Sequence, residues 1–211
     1  MLLVRNITYI FINNISRDTF FFKMSRHSNW GKSLRWWLQG RLIDSPGENT
    51  IVSRNNAMRP PISFLAYYSE KDTDILQEYF VPIDSLTEYL PALKKILLEN
   101  SVNVLSMTLR YVPKSEPVYL NYAPEDIVSV VLYMNIRKNS ASIKHSQNWT
   151  RKIVDLTYNH GGKYYLTYHR FPTLEQFRST YNNWKRFKSI KKKYDRINLF
   201  TSEFYKQYFQ L

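Results

Sequence analysis

Five polar side chains stand where a sheet could turn them toward one ligand: Gln77 and Tyr79, two apart, Arg110, and Tyr165 and Tyr168, three apart. An amide, a guanidinium and phenols are groups that bind and orient a polar substrate through hydrogen bonds. Alternate residues of a strand share a face, so Gln77 and Tyr79 are expected on one side. Tyr165 and Tyr168 reach one pocket only if their strand bends or ends between them. The same five residues also fit a plainer description, as buried tyrosine hydroxyls and an arginine on a sheet edge.

Several other chemistries are disfavoured. The four histidines, His27, His145, His160 and His169, show neither H-x-x-x-H nor H-E-x-x-H spacing, so no zinc site is expected. His160 reads as a surface residue stabilised by the dipole of the helix it ends. Without cysteine there is no disulfide, thiolate metal site or thiol nucleophile, and a cytoplasmic location is the natural expectation. The chain has no G-x-S-x-G elbow, no P-loop and no G-x-G-x-x-G turn. Its five glycines, at 31, 40, 47, 161 and 162, form no loop able to cradle a dinucleotide pyrophosphate.

The elements that must carry the polar set follow from the apolar pattern. Ile75 to Val81 has strand composition and ends at Pro82. Ser85 and Glu88 then predict a capping box for a helix bearing Leu86, Leu90, Leu93 and Leu97, with a kink or restart at Pro91. Val102 to Val112 predicts a second strand, and the nearly continuous apolar run Ile127 to Ile136 a third. Trp149, Ile153 and Leu156 recur at helical spacing before Gly161 and Gly162, which supply a C-terminal stop. Lys163 to Tyr168 predicts a fourth strand. The order β-α-β-β-α-β implies an α+β, ferredoxin-like antiparallel sheet with helices on one face. A C-terminal helical tail follows, capped by Thr173 and Gln176 and carrying Leu174, Phe177, Tyr181, Trp184 and Phe187 as a packing stripe. Upstream, Met24 to Trp30 reads as loop, Ser33 to Ile43 as a short helix interrupted at Gly40, and Asp44 to Asn49 as a turn.

The net charge of +13 is unevenly spread. Residues 1–61 carry 9 basic and 3 acidic groups, residues 62–133 carry 5 and 10, and residues 134–211 carry 16 and 4. Lys185 to Lys193 holds six basic residues in nine. Such a run is either a solvated helix face or a phosphate-docking surface. No nucleic-acid motif accompanies it, so nucleic acid is not the expected partner, while peripheral membrane contact is compatible with the charge. No run approaches the length of a membrane-spanning helix, since Asn13 and Asn14 break the stretch Ile7 to Ile15.

Segments 74–83, 105–112, 161–168, 174–187 and 193–205 together resemble the C-terminal substrate (cap) domain of FAD-linked oxidases of the vanillyl-alcohol oxidase superfamily. The nearest members are the D-arabinono-1,4-lactone oxidase and decaprenylphosphoryl-ribose oxidase type. The shared pattern is a Q-x-x-F-V-P strand, an L-R strand, a G-G-K turn leading to aromatics, a Y-x-x-W segment and an aspartate followed by phenylalanine. The resemblance implies a flavoprotein oxidising the CH–OH group of a sugar, alditol or aldonolactone by hydride transfer to FAD. Carried over by position, Gln77 and Tyr165 would contact substrate, with Tyr79 beside them, and Tyr165 would also lie against the flavin. Arg110 would stabilise negative charge on substrate or reduced flavin. Tyr168 stands where many relatives have lysine, and donates a hydrogen bond without supplying positive charge. Asn182 and Arg196 replace prolines of the pattern.

The resemblance runs from about residue 53 to 205, which sets the expected substrate domain at 53–211 and leaves residues 1–52 as an N-terminal extension or junction. That extension is too short and glycine-poor to be the flavin-binding domain. FAD is therefore expected to be held mainly by a domain absent from these residues, as in a truncated oxidase or one half of a split enzyme with a separate FAD-binding chain. A non-enzymatic basic module for nucleic acid or acidic membrane surfaces is the rival expectation.

Overall fold

The computed structural model describes residues 15–44 and 65–209. The stretch Ile7 to Ile15 apart from its last residue, most of the turn expected after Asp44 and the boundary expected near residue 52 lie outside them. The chain divides into two compact units, Met1–Ser69 and Glu70–Leu211.

Within the first unit, α1 (Ile15–His27) and α2 (Asn29–Asp44) form a helix pair. The expected loop from Met24 to Trp30 contracts to the single residue Ser28. Its hydroxyl accepts the Gly31 amide at 2.9 Å, a side-chain cap that starts α2 at once. A Cβ on Gly31 would sit 2.6 Å from the Met24 carbonyl oxygen, so only glycine lets the corner close. Gly40 does not interrupt α2, because nothing lies near it and its cost is the roughly 1 kcal/mol of helix propensity alone.

The second unit is an α+β domain. Its elements run β1 (Asp72–Pro82), α3 (Leu86–Glu99), β2 (Val104–Val112), β3 (Ile127–Arg137), α4 (Ser140–Asn159) and β4 (Lys163–Tyr164), followed by α5 (Leu174–Thr180), α6 (Trp184–Tyr194) and α7 (Glu203–Phe209). The four strands form one antiparallel sheet in the order β2-β3-β1-β4. Helices α3 and α4 cover one face. Ile75, Val81, Val130, Leu132 and Met134 from the strands meet Tyr89, Leu93, Trp149 and Ile153 from the helices there. A hydrogen bond between Tyr89 and Thr157, 3.0 Å, satisfies both buried hydroxyls where the helices meet.

Three local expectations are corrected. Ser85 makes no capping bond, because a 3-10 turn over Ile83–Ser85 already holds it in helical backbone. Helix α3 does not restart at Pro91 but continues through it; Pro91 and Thr87, whose carbonyl loses its partner, both face solvent. Strand β4 is two residues long rather than six. The tail is three helices rather than one: Tyr181 turns inward to donate its hydroxyl to the Tyr164 carbonyl, and α5 ends there. Its capping box at Thr173 and Gln176 forms in both directions, at 3.1 and 3.0 Å. Gly161 takes φ +74°, the left-handed backbone that ends α4, and a Cβ on Gly162 would meet the Phe80 carbonyl at 2.4 Å.

Candidate functional site

The sheet face opposite α3 and α4 carries the charged groups. Register places Glu78 against Val131, Phe80 against Ser129, and Arg110 against Ser129 from the other side. One face therefore presents Glu78 from the middle of β1 and Arg110 from the edge strand β2, with Ser129 between them on β3. The Ser129 hydroxyl donates to Glu78 Oε1 and fixes that carboxylate. At the far end of the face, Asp74 accepts from the Tyr133 hydroxyl at 2.6 Å and from Asn135 Nδ2 at 2.8 Å.

The short β4 brings the last two predicted residues to this face. The Tyr165 amide donates to the Glu78 carbonyl at 2.9 Å, after which the chain leaves the sheet. Tyr165 and Tyr168 then meet edge to face, with ring centroids 5.1 Å apart. Tyr165 packs likewise on Phe80 and Tyr122, which are themselves stacked at 4.4 Å. An aromatic shelf thus borders the charged strip. Partial burial, the Glu78 carboxylate and Tyr165 hold the Tyr168 phenol above its ordinary range, while Arg110 acts in the opposite direction. Tyr168 consequently stays protonated at neutral pH and donates toward Glu78.

Arg110, Tyr165 and Tyr168 are brought together on this face; Gln77 and Tyr79 point to the other one, and meet Tyr165 and Tyr168 only around a narrow enclosed space that all four line. Those two do share a side, but it is the side under α4. Gln77 Nε2 donates to Thr150 Oγ1 at 2.9 Å and Gln77 Oε1 accepts from the Tyr79 hydroxyl. Both are almost fully buried. Their polar atoms are satisfied within the core, which leaves no group to offer a ligand on the open face. Glu78 is the residue that sequence reasoning passed over. Its signal was the alternation itself, since the position between two buried neighbours points the other way.

A cleft of about 700 Å3 opens beside β1 where β4 has ended, lined by Asp74, Leu76, Gln147, Tyr168, His169 and Arg170. Burial lowers the His169 pKa, so its imidazole is neutral at pH 7. Among the described residues no group of His, Asp and Glu is placed to hold a metal ion, and no helix is long and apolar enough to cross a membrane.

A carboxylate, a guanidinium and two phenols thus lie together on the sheet face that α3 and α4 leave uncovered, beside an aromatic shelf. The family model for D-arabinono-1,4-lactone oxidase matches residues 54–208, and the chain belongs to that family. The matched region is consistent with the C-terminal cap domain of the oxidase. No curated protein matches the chain.

Proposed function

We propose that this domain is the substrate-binding part of an FAD-dependent oxidoreductase acting on the CH–OH group of a sugar, alditol or aldonolactone. The observation that carries the reading is the open sheet face, where Arg110, Glu78 and Tyr168 converge beside the aromatic shelf in a chain of the D-arabinono-1,4-lactone oxidase family. FAD supplies the hydride acceptor when bound. The shelf of Phe80, Tyr122 and Tyr165 suits the flat ring end of such a cofactor. Its phosphates find no comparable place among the described residues: Gly161 ends a helix and Gly162 lies against the Phe80 carbonyl. FAD is accordingly held mainly by another domain, and Glu78, Arg110 and Tyr168 bind and orient the polyol or lactone against it.

On this reading Arg110 offsets negative charge that develops on the substrate oxygen, from a position that needs no reorganisation during reaction. Tyr168 donates a hydrogen bond where a lysine would bring charge, and Glu78, fixed by Ser129, accepts from substrate hydroxyls. The test is the visible absorption spectrum of the purified chain, alone and after co-expression with the product of the adjoining upstream reading frame. A flavin band and aldonolactone-dependent reduction of that band are expected only in the co-expressed preparation. A flavin-free preparation in both cases contradicts the reading.

A further inference from the structure

One exposed patch among the described residues that carries no role in the proposed site lies in the tail. Helix α6 turns Trp184, Phe187 and Lys191 toward the domain: Phe187 and Trp184 meet Phe209 at 5.2 and 6.5 Å, and the Lys191 ammonium lies 4.9 Å over the Tyr205 ring. At 100° per residue, the opposite side of the same helix carries Lys185, Arg186, Lys192 and Lys193, all exposed. No acidic residue occurs from Gln176 to Tyr194 to neutralise them.

The loop that follows is apolar and exposed. Tyr194 is 77% accessible, Ile197 81%, Leu199 69% and Phe200 75%. The loop is nevertheless ordered. The Asp195 carboxylate accepts the Leu199 amide at 2.8 Å and the Phe200 amide at 3.0 Å, and also binds the Lys191 ammonium. Asn198 takes the left-handed backbone that closes the turn, φ 53°. An aspartate with its charge already engaged thus holds three apolar side chains outward on a fixed turn, beside four exposed cations, of which Lys185 and Lys193 lie over the Trp184 and Tyr194 rings.

We infer that α6 and the 195–200 turn form a docking surface for an anionic lipid membrane, in which the exposed α6 cations contact headgroups and Ile197, Leu199 and Phe200 insert between them. Charge complementarity selects the partner, since acidic leaflets attract clustered Lys and Arg. The apolar tip narrows it further. Nucleic acid gains affinity from phosphate contacts and from bases stacked on aromatics; two aliphatic residues at the most exposed point serve neither. Protein interfaces deplete lysine at their centres, whereas an interfacial membrane helix combines a lysine-rich polar side with Phe and Leu. The surface lies on the tail and uses none of the residues proposed to bind substrate.

Sedimentation of the full chain with vesicles of one part phosphatidylserine to two parts phosphatidylcholine tests the proposal, with pure phosphatidylcholine vesicles as the control. Binding is expected only to the acidic vesicles, and weaker binding is expected as salt rises. Two variants separate the contributions: Ile197→Ser with Leu199→Ser and Phe200→Ser, and Lys185→Gln with Arg186→Gln, Lys192→Gln and Lys193→Gln. Each should lose affinity by about tenfold or more. Circular dichroism and melting of both should match the parent, because every altered side chain is exposed. Failure of the parent to sediment with acidic vesicles overturns the proposal. So does undiminished binding by the tip variant, which would mark a general polyanion surface, or conversion of an oligomer to a monomer by that variant, which would assign the tip to a second copy of this chain.

Discussion

Adjacent residues of β1 meet opposite fates on the two faces of one sheet. Gln77 and Tyr79 point under α4, where each polar atom is matched to a fixed partner and the surroundings are aromatic and aliphatic. Glu78, between them, points to the open face with Arg110, Tyr165 and Tyr168. The covered face uses its polar groups to specify packing. The other face gathers a carboxylate, a guanidinium and a phenol in a small area, the set proposed here to meet substrate. The difference teaches that polar residues on a strand have to be sorted by face before they are assigned a role.

Core truncation draws the difference most sharply. Trp149→Ala removes the largest buried side chain on α4 and should cost about 3–5 kcal/mol, enough to unfold a marginal domain. Chemical denaturation would show it as a lowered midpoint. A parent-like midpoint would mean that α4 is not integral to the core.

Alkaline pH acts next, and on the same face. Tyr79, Tyr89, Tyr164 and Tyr181 are raised by burial, and burial pushes Tyr208 up to about 12. A phenol raised in the folded state remains protonated there while the unfolded chain ionises near pH 10. Stability is therefore intact below that pH and is lost as pH rises toward the folded values, by roughly 1.4 kcal/mol per pH unit for each such tyrosine. Tyrosinate absorbance and loss of circular dichroism should rise together. Ionisation of these phenols without unfolding would show that the covered face is open to water.

Gln77→Leu has a smaller effect of the same kind. It leaves the Tyr79 hydroxyl without its acceptor and Thr150 without its donor, at a cost of about 1–3 kcal/mol. Turnover of a flavin-reconstituted enzyme should stay near the parental value. Parental stability with lost turnover would return Gln77 to the site.

The order of strands and helices in the second unit was legible because its signals are local. Ile127 to Ile136 is apolar enough for a central strand, and Gly161 with Gly162 marks a helix end that only their backbone freedom permits. The capping box at Thr173 was readable for the same reason. What stayed hidden depends on tertiary choice. Both sides of β1 alternate apolar residues, Ile75, Tyr79 and Val81 against Leu76 and Phe80, so periodicity could not say which side the helices would cover. Ser85 has the type and spacing of a cap, yet the turn before it decides its backbone. The division of the tail at Tyr181 rests on a hydroxyl reaching the carbonyl of Tyr164, 17 residues earlier. Arg110 and Tyr168 were legible as polar residues on expected strands and took roles from the family pattern, whereas Glu78 needed the register of three strands.

The separation of stability from function on the two faces is tested most directly by Arg110→Met in the flavin-reconstituted enzyme, with turnover and melting temperature measured on the same preparation. Arg110 is exposed on an edge strand, so melting should stay within about 0.5 kcal/mol of the parent. Turnover should fall by about a hundredfold or more through loss of charge stabilisation at the reacting oxygen. Parental turnover with unchanged melting would contradict the account, because the open face would then hold its guanidinium for no catalytic purpose.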